Sequence, residues 1–247
     1  MQQQVCHFSF DITDWKIVCN RPLFPADWRK GESHWCTTVA QRETIMPPLD
    51  FLPPLKRRRL SNAARLFFAA AWPLTEQESN IPVVYASFNS EINRSFMLWQ
   101  QLWQEGDISP TSFSLSVHNA LVGQWSEIRG VKQECTAISA NKDNLETALM
   151  EAYLLLNDGA QRVLVVTAES PLSEKYHVQP VFRHPFSYAL ALLVERGEQY
   201  HLSLHSQAAP QTSCIDNTLS WVKQQYLTEV RWQTPSSGGG YWQWQKS

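Results

Sequence analysis

Apolar and polar positions along the chain alternate between two periods, one suited to strands and one to helices. Val5 to Val18 alternates loosely, which predicts one or two strands. Between residues 20 and 54, Pro22, Pro25, Pro47, Pro48, Pro53 and Pro54 break any regular pattern, so this stretch is expected to be irregular. From Leu55 to Trp72 the apolar positions Leu60, Ala63, Ala64, Phe67, Phe68 and Ala71 recur at steps of three and four, predicting one helix that Pro73 ends. Two nearly continuous apolar runs, IPVVYASF (81–88) and RVLVVTAES (162–170), fit strands covered on both faces.

Helices are predicted over 92–104 and over Asp143–Leu156, where Asp143 and Glu146 have the spacing of a capping box. Between them, 109–118 reads as an extended stretch leading into a helix near Asn119, in which Gly123 would permit close helix packing. Val131 to Ala137 is a weaker strand candidate. Near the end, 187–195 and 199–206 flank Arg196-Gly197-Glu198, the signature of a hairpin. A helix near Asp216–Tyr226 and one last strand complete a pattern with no internal repeat. Strands alternating with helices define an α/β protein with a mixed central sheet and covering helices.

Composition narrows this only slightly. The 247 residues suffice for a sizeable core, and 43% hydrophobic with 18% charged residues is a globular balance. A net charge of −2 gives no general attraction to nucleic acid or to an anionic membrane, so neither is expected as a partner. The 11 tryptophans are many for this length and raise the suspicion of a partner surface. Five cysteines without a C-x-x-C pair, a start lacking signal-peptide features and no run near the roughly 18 apolar residues of a membrane span point to a cytoplasmic setting with reduced thiols.

The candidate chemistry lies in ECTAISANKDNLETALMEAYLLL, where a strand meets a helix through a turn. The helix N-terminus favours an anion, and a cysteine placed there would have its thiol acidified into a nucleophile. Together with SPTSFSLSVHNALVGQWSEIRG and FLPPLKRRRLSNAARLFFAAAWPL, this segment resembles the β-ketoacyl synthase-like family of chain-length-factor type. The resemblance runs from about residue 8 to residue 205 and is greatest to the short subunits of bacterial aryl polyene pathways. It implies a thiolase-like half fold, with residues 1–247 forming a single domain that carries the irregular segment 20–54 and a short C-terminal extension, 207–247.

Active members of that family carry Thr-Ala-Cys at the turn. Here the tripeptide is Thr136-Ala137-Ile138, and isoleucine cannot form a thioester. Cys135 precedes it on the strand, pointing away from Thr136 and Ile138, and is expected to be buried and structural. About forty residues follow Leu204, too few for the second thiolase half that supplies the family's catalytic histidines. His177 and His184 are expected on a loop or the surface, and His201 and His205 are a weak metal pair. The resemblance therefore implies no catalytic residue, no cofactor and no resident metal. It implies a catalytic β-ketoacyl synthase as partner in a heterodimer or larger heterocomplex, with acyl carrier protein met indirectly.

By the same resemblance, Phe113, Leu115, Ser116, Val117, His118, Asn119, Gln133, Thr136 and Ile138 are candidate residues of the partner interface and acyl-tunnel wall. Periodicity alone reads 113–117 equally well as a half-buried strand. Lys56, Arg57, Arg58 and Arg59 are either a carrier-protein docking patch or a solvated helix start. Trp232, Tyr241, Trp242 and Trp244 could stack on a ligand or fill a core, and Ser236–Gly240 lacks the ending of a phosphate-binding loop. An acyltransferase with another nucleophile and a stand-alone carrier-protein scaffold remain as alternatives.

Overall fold

The computed structural model describes residues 4–176, 184–206 and 216–247. Among the described residues, seven strands form one mixed sheet: β1 (Gln4–Cys19), β2 (Val83–Ala86), β3 (Cys135–Ile138), β4 (Arg162–Glu169), β5 (Tyr188–His205), β6 (Arg231–Pro235) and β7 (Tyr241–Lys246). The order is β3-β2-β4-β5-β7-β6, with β1 also on β5. β2 runs parallel to β3 and β4, and the remaining pairs are antiparallel. Period-two alternation splits the buried strands between two cores. Val84, Val165, Leu190 and Leu192 face one side, with α8 (Asn144–Asn157); Tyr85, Val166, Ala189 and Ala191 face the other, with α4 (Asn62–Leu74) and α7 (Ala120–Arg129). Helices thus cover both faces, as the near-continuous apolar strands demand.

Several expectations need correction. The helix expected over Leu55–Trp72 is two: α3 (Pro54–Arg59) stops at Leu60, and α4 starts afresh because the Ser61 side chain accepts from Ala64 N at 3.1 Å. Pro73 lies inside the last turn of α4 and does not end it. Segment 20–54 contains the short helices α1 (Pro25–Lys30) and α2 (Glu32–Thr37), fastened by the buried Asp27, which accepts from Arg42 at 2.7 and 2.8 Å. The extended stretch expected over 109–118 is instead α6 (Pro110–Ser114) followed by turns: Ser109 caps Ser112 N, and Pro110 suits a first helical position. The strand expected at Val131 begins only at Cys135, and Gly123 faces open space, not a packed helix.

The hairpin expected at 196–198 does not form. β5 continues through it for 18 residues because β1 lies alongside its whole length. Residues between Glu195 and Tyr200 bulge out where β1 passes directly from Phe10 to Asp11, and the Asp11 carboxylate caps the bulge by accepting from Gln199 N at 2.8 Å. The tail forms a true hairpin, β6 and β7, where one strand was expected. Its tryptophans Trp232, Trp242 and Trp244 are buried in the core beneath α8, so they fill a core and offer no stacking platform.

The 236–240 turn of this hairpin approaches β5 so closely that a Cβ on Gly240 would stand 1.9 Å from the His205 carbonyl oxygen. Gly240→Ala is expected to lower stability by about 1–3 kcal/mol, the scale of overpacking against an unyielding backbone. A thermal denaturation midpoint unchanged from wild type would contradict that packing.

Candidate functional site

The strand-to-helix elbow is built from three elements. β3 ends at Ile138, whose carbonyl accepts from Ser87 N at 3.1 Å and lies 2.8 Å from His118 Nε2. His118 stacks on Tyr85, with ring centroids 5.6 Å apart. Past the elbow, Asn141 takes a left-handed conformation with φ of 51°, and Asn144 Oδ1 accepts from Ala140 N at 2.8 Å. Ile138 is half-buried against the α8 core. No side chain of the elbow strand supplies an acidified nucleophile. Cys135 is exposed where a buried residue was expected, and its thiol is pushed above the ordinary range by partial desolvation and Glu134, against a bond to Ser126. The expected orientation is correct: Cys135 meets Ser126 of α7, while Thr136 meets Glu151 of α8 at 3.4 Å on the other face.

The capping box expected at Asp143 and Glu146 is absent, since both carboxylates are engaged elsewhere. Asp143 accepts from Ser236 Oγ at 2.8 Å, from Ser237 N and Oγ, each at 2.6 Å, and from Trp242 Nε1 at 3.1 Å. Glu146, fully buried, accepts from Thr234 Oγ1 at 2.6 Å, Asn217 Nδ2 at 3.2 Å and Trp244 Nε1 at 3.3 Å. Burial raises its carboxyl to about 7, against the pull of the Thr234 and Asn217 bonds. The C-terminal hairpin is thereby bolted to the first turn of the elbow helix.

Sequence reasoning missed a second cluster behind the elbow. His184, expected on a loop or the surface, is on a loop but buried: Nδ1 lies 2.8 Å from Asp216 and Nε2 lies 3.5 Å from Glu169. Burial pushes the imidazole down, but the two carboxylates outweigh it and lift it to about 10, so it is a doubly protonated cation. Asp216 is held below the carboxylate range by His184 despite burial, and it also accepts the Tyr188 hydroxyl. Glu169 accepts from Asn89 N at 3.1 Å. The cluster joins the end of β4, the start of β5 and α9 (Asn217–Leu227), and it borders a cavity of about 360 Å³ reaching Phe88, Lys142 and Ser236. The one sequence signal was Glu169, a carboxylate closing an otherwise apolar strand run.

The structure joins some candidate residues and not others. His118 meets Ile138; Ser116 accepts at its carbonyl from Ser95 Oγ at 3.3 Å; Phe113, Val117, Asn119 and Gln133 are exposed, and Leu115 is half-buried. Lys56 pairs with Glu127, and Arg57 pairs with Asp50 at 2.9 Å, leaving Arg58 and Arg59 exposed. Among the described residues no bond links this run to Ile138. His201 stacks on His7 and His205 on Tyr241, and no group of metal-ligating side chains is found among the described residues. His177 lies outside them. No described helix is long and apolar enough to cross a membrane.

A mixed sheet covered by helices, with an elbow between β3 and α8, defines an α/β fold of thiolase-like type. Residues 27–245 match the family described as β-ketoacyl synthase, N-terminal domain, and the chain belongs to that family. It is similar to a chain in the complex of the ketosynthase ApeO with its chain length factor ApeC from Xenorhabdus doucetiae, at 26% identity and a TM-score of 0.81, covering 97% of this chain and 100% of that one. The ishigamide ketosynthase/chain length factor aligns at 15% identity and a TM-score of 0.59, over 79% of this chain and 66% of that one. A β-ketoacyl synthase from Burkholderia phymatum aligns at 15% identity and 0.57, over 90% and 71%. These two likenesses concern the fold. No curated protein matches the chain.

His184→Ala would leave two carboxylates buried without their cation, at a cost of about 3–5 kcal/mol. Because the wild-type pKa is raised, the imidazolium's contribution is complete below the ordinary histidine range and is lost as pH rises through about 10. Chemical denaturation at pH 7 and pH 10 should therefore show a smaller gap between wild type and variant at pH 10; a constant gap would refute the charged assignment.

Proposed function

We propose that the chain is a non-catalytic, chain-length-factor-like subunit that pairs with a catalytic β-ketoacyl synthase and shapes its acyl tunnel. The observation that carries this reading is Ile138, an aliphatic side chain at the end of the elbow strand, in the position that the sequence resemblance assigns to the cysteine of active members. The similarity to a chain of the ApeO–ApeC complex, complete over that chain's length, supports it, and the aryl polyene setting follows from the sequence resemblance alone. We read residues 1–247 as one thiolase-like half, with the β6–β7 hairpin of its C-terminal extension packed against the α8 core.

The partner would meet β3. That strand ends the sheet order, and its outer edge has no neighbour among the described residues, leaving backbone donors and acceptors for a strand of the ketosynthase. Phe113 and Val117, 57% and 43% exposed, closely precede His118, which contacts the end of β3, and would face the growing acyl chain. Gln133, Thr136, Ile138, Leu115, Ser116 and Asn119 complete this surface, and no cofactor enters the role. Carrier protein would dock chiefly on the ketosynthase, with the exposed Arg58 and Arg59, which form no ion pair among the described residues, for any direct contact.

Co-expression with a catalytic β-ketoacyl synthase from the same genome should yield a stable complex; separate elution of the two proteins would sink the pairing. Incubation with an acyl carrier protein thioester should leave the intact mass of the purified chain unchanged, whereas an acyl adduct would favour an acyltransferase. Phe113→Ala or Val117→Ala in the intact complex should lengthen the products by relieving occluded volume. Identical product lengths would remove these residues from the tunnel wall.

A further inference from the structure

Of the 11 tryptophans, only Trp99 and Trp103 are exposed, at 78% and 92%; the others are buried or half-buried. Both lie on α5 (Ile92–Glu105), four residues apart and therefore stacked along one face. Leu102 extends this face and is 48% exposed, while Phe96 continues it onto Tyr176, with ring centroids 4.7 Å apart. Leu98 is the single buried residue of this 14-residue helix. An apolar helix stripe ordinarily faces a core. Here it faces outward, and a monomeric surface seldom carries such a contiguous apolar patch.

We infer that the Trp99–Trp103 face of α5 is a docking surface for the catalytic ketosynthase, an inference that rests on the pairing reading above. Continuity with the proposed interface supports it. Ser95 of α5 donates to the Ser116 carbonyl at 3.3 Å, Ser90 donates to the His118 carbonyl at 3.3 Å, and His118 in turn holds the Ile138 carbonyl at the end of the open β3 edge. The helix, the 115–118 turn and the elbow strand are therefore joined by hydrogen bonds as neighbours.

Charge selects the class of occupant. The residues between and beyond the tryptophans are Gln100, Gln101 and Gln104, followed by Glu105 and Asp107. Arg94, the helix's one arginine or lysine, is paired with Glu91 at 3.0 Å. A helix lying on anionic lipid carries lysines and arginines beside its apolar face, which α5 lacks. Neutral glutamines around two large aromatics match the composition of protein interfaces, where tryptophan anchors dominate the binding energy.

The test compares wild type with Trp99→Glu/Trp103→Glu and with Trp103→Gln alone, each co-expressed with a catalytic β-ketoacyl synthase from the same genome. Circular dichroism and thermal midpoints of the isolated chains establish that the variants fold, as side chains this exposed should allow. The single variant serves if the double one does not fold. The expected result is a folded variant whose affinity for the ketosynthase falls by about 100-fold or more for the double change and about tenfold for the single one. A wild-type chain that does not bind the ketosynthase overturns the pairing reading and this inference together. Wild-type affinity retained by the folded variants overturns the inference alone. An intact heterocomplex accompanied by loss of self-association in light scattering would assign the stripe to a second copy. Loss of binding to phosphatidylglycerol vesicles, with the heterocomplex intact, would assign it to lipid; either result also overturns the inference.

Discussion

The attachment of the C-terminal hairpin to the first turn of α8 is the constraint on which the rest of the molecule depends. Two carboxylates at the start of that helix, Asp143 and Glu146, take up hydroxyl, amide and indole donors from 234–244 and from Asn217. Unpaired, these carboxylates would have no place in a core, and without them the buried indoles of Trp242 and Trp244 would lose acceptors. Each group makes the other's burial tolerable. The result covers a helix whose Leu145, Ala148, Leu149 and Ala152 are fully buried.

That attachment fixes the elbow, and with it the character of the site. Thiolase-like chemistry needs a thiolate at the helix start and histidines brought from elsewhere. In this chain the helix start is filled by Asp143 and the hairpin, and the strand end by Ile138. The buried histidine nearby, His184, is held as a cation between Glu169 and Asp216, with both ring nitrogens facing carboxylates. A base must offer a free nitrogen lone pair. His184 has the arrangement of a structural ion pair joining β4, β5 and α9, which suits a supporting subunit better than a catalytic one.

What remains available to act lies outside: a strand edge with no neighbour among the described residues, the exposed Phe113 in α6 and Val117 after it, and an outward-facing aromatic stripe on α5. All three are liabilities for an isolated soluble chain, through edge pairing and through exposed apolar area. They occur on elements joined by hydrogen bonds through Ser90, Ser95 and His118, so a single partner could relieve them together.

The sequence by itself determined the parts governed by local physics. Apolar runs at 81–88 and 162–170 located β2 and β4, periodicity located α8 and α9, and the identity of residue 138 ruled out thioester chemistry there. Tertiary structure decided whatever depended on a distant neighbour. Pairing with β1 turned an apparent hairpin at Arg196–Glu198 into a bulge in one long strand, because a ladder along the whole strand outweighs a local turn signal. Alternating Phe113, Leu115 and Val117 became helix and turns because Ser109 and Pro110 start a helix that no period-two pattern records. His184 was drawn inside by carboxylates that precede it by 15 residues and follow it by 32, a separation that no window along the chain can span.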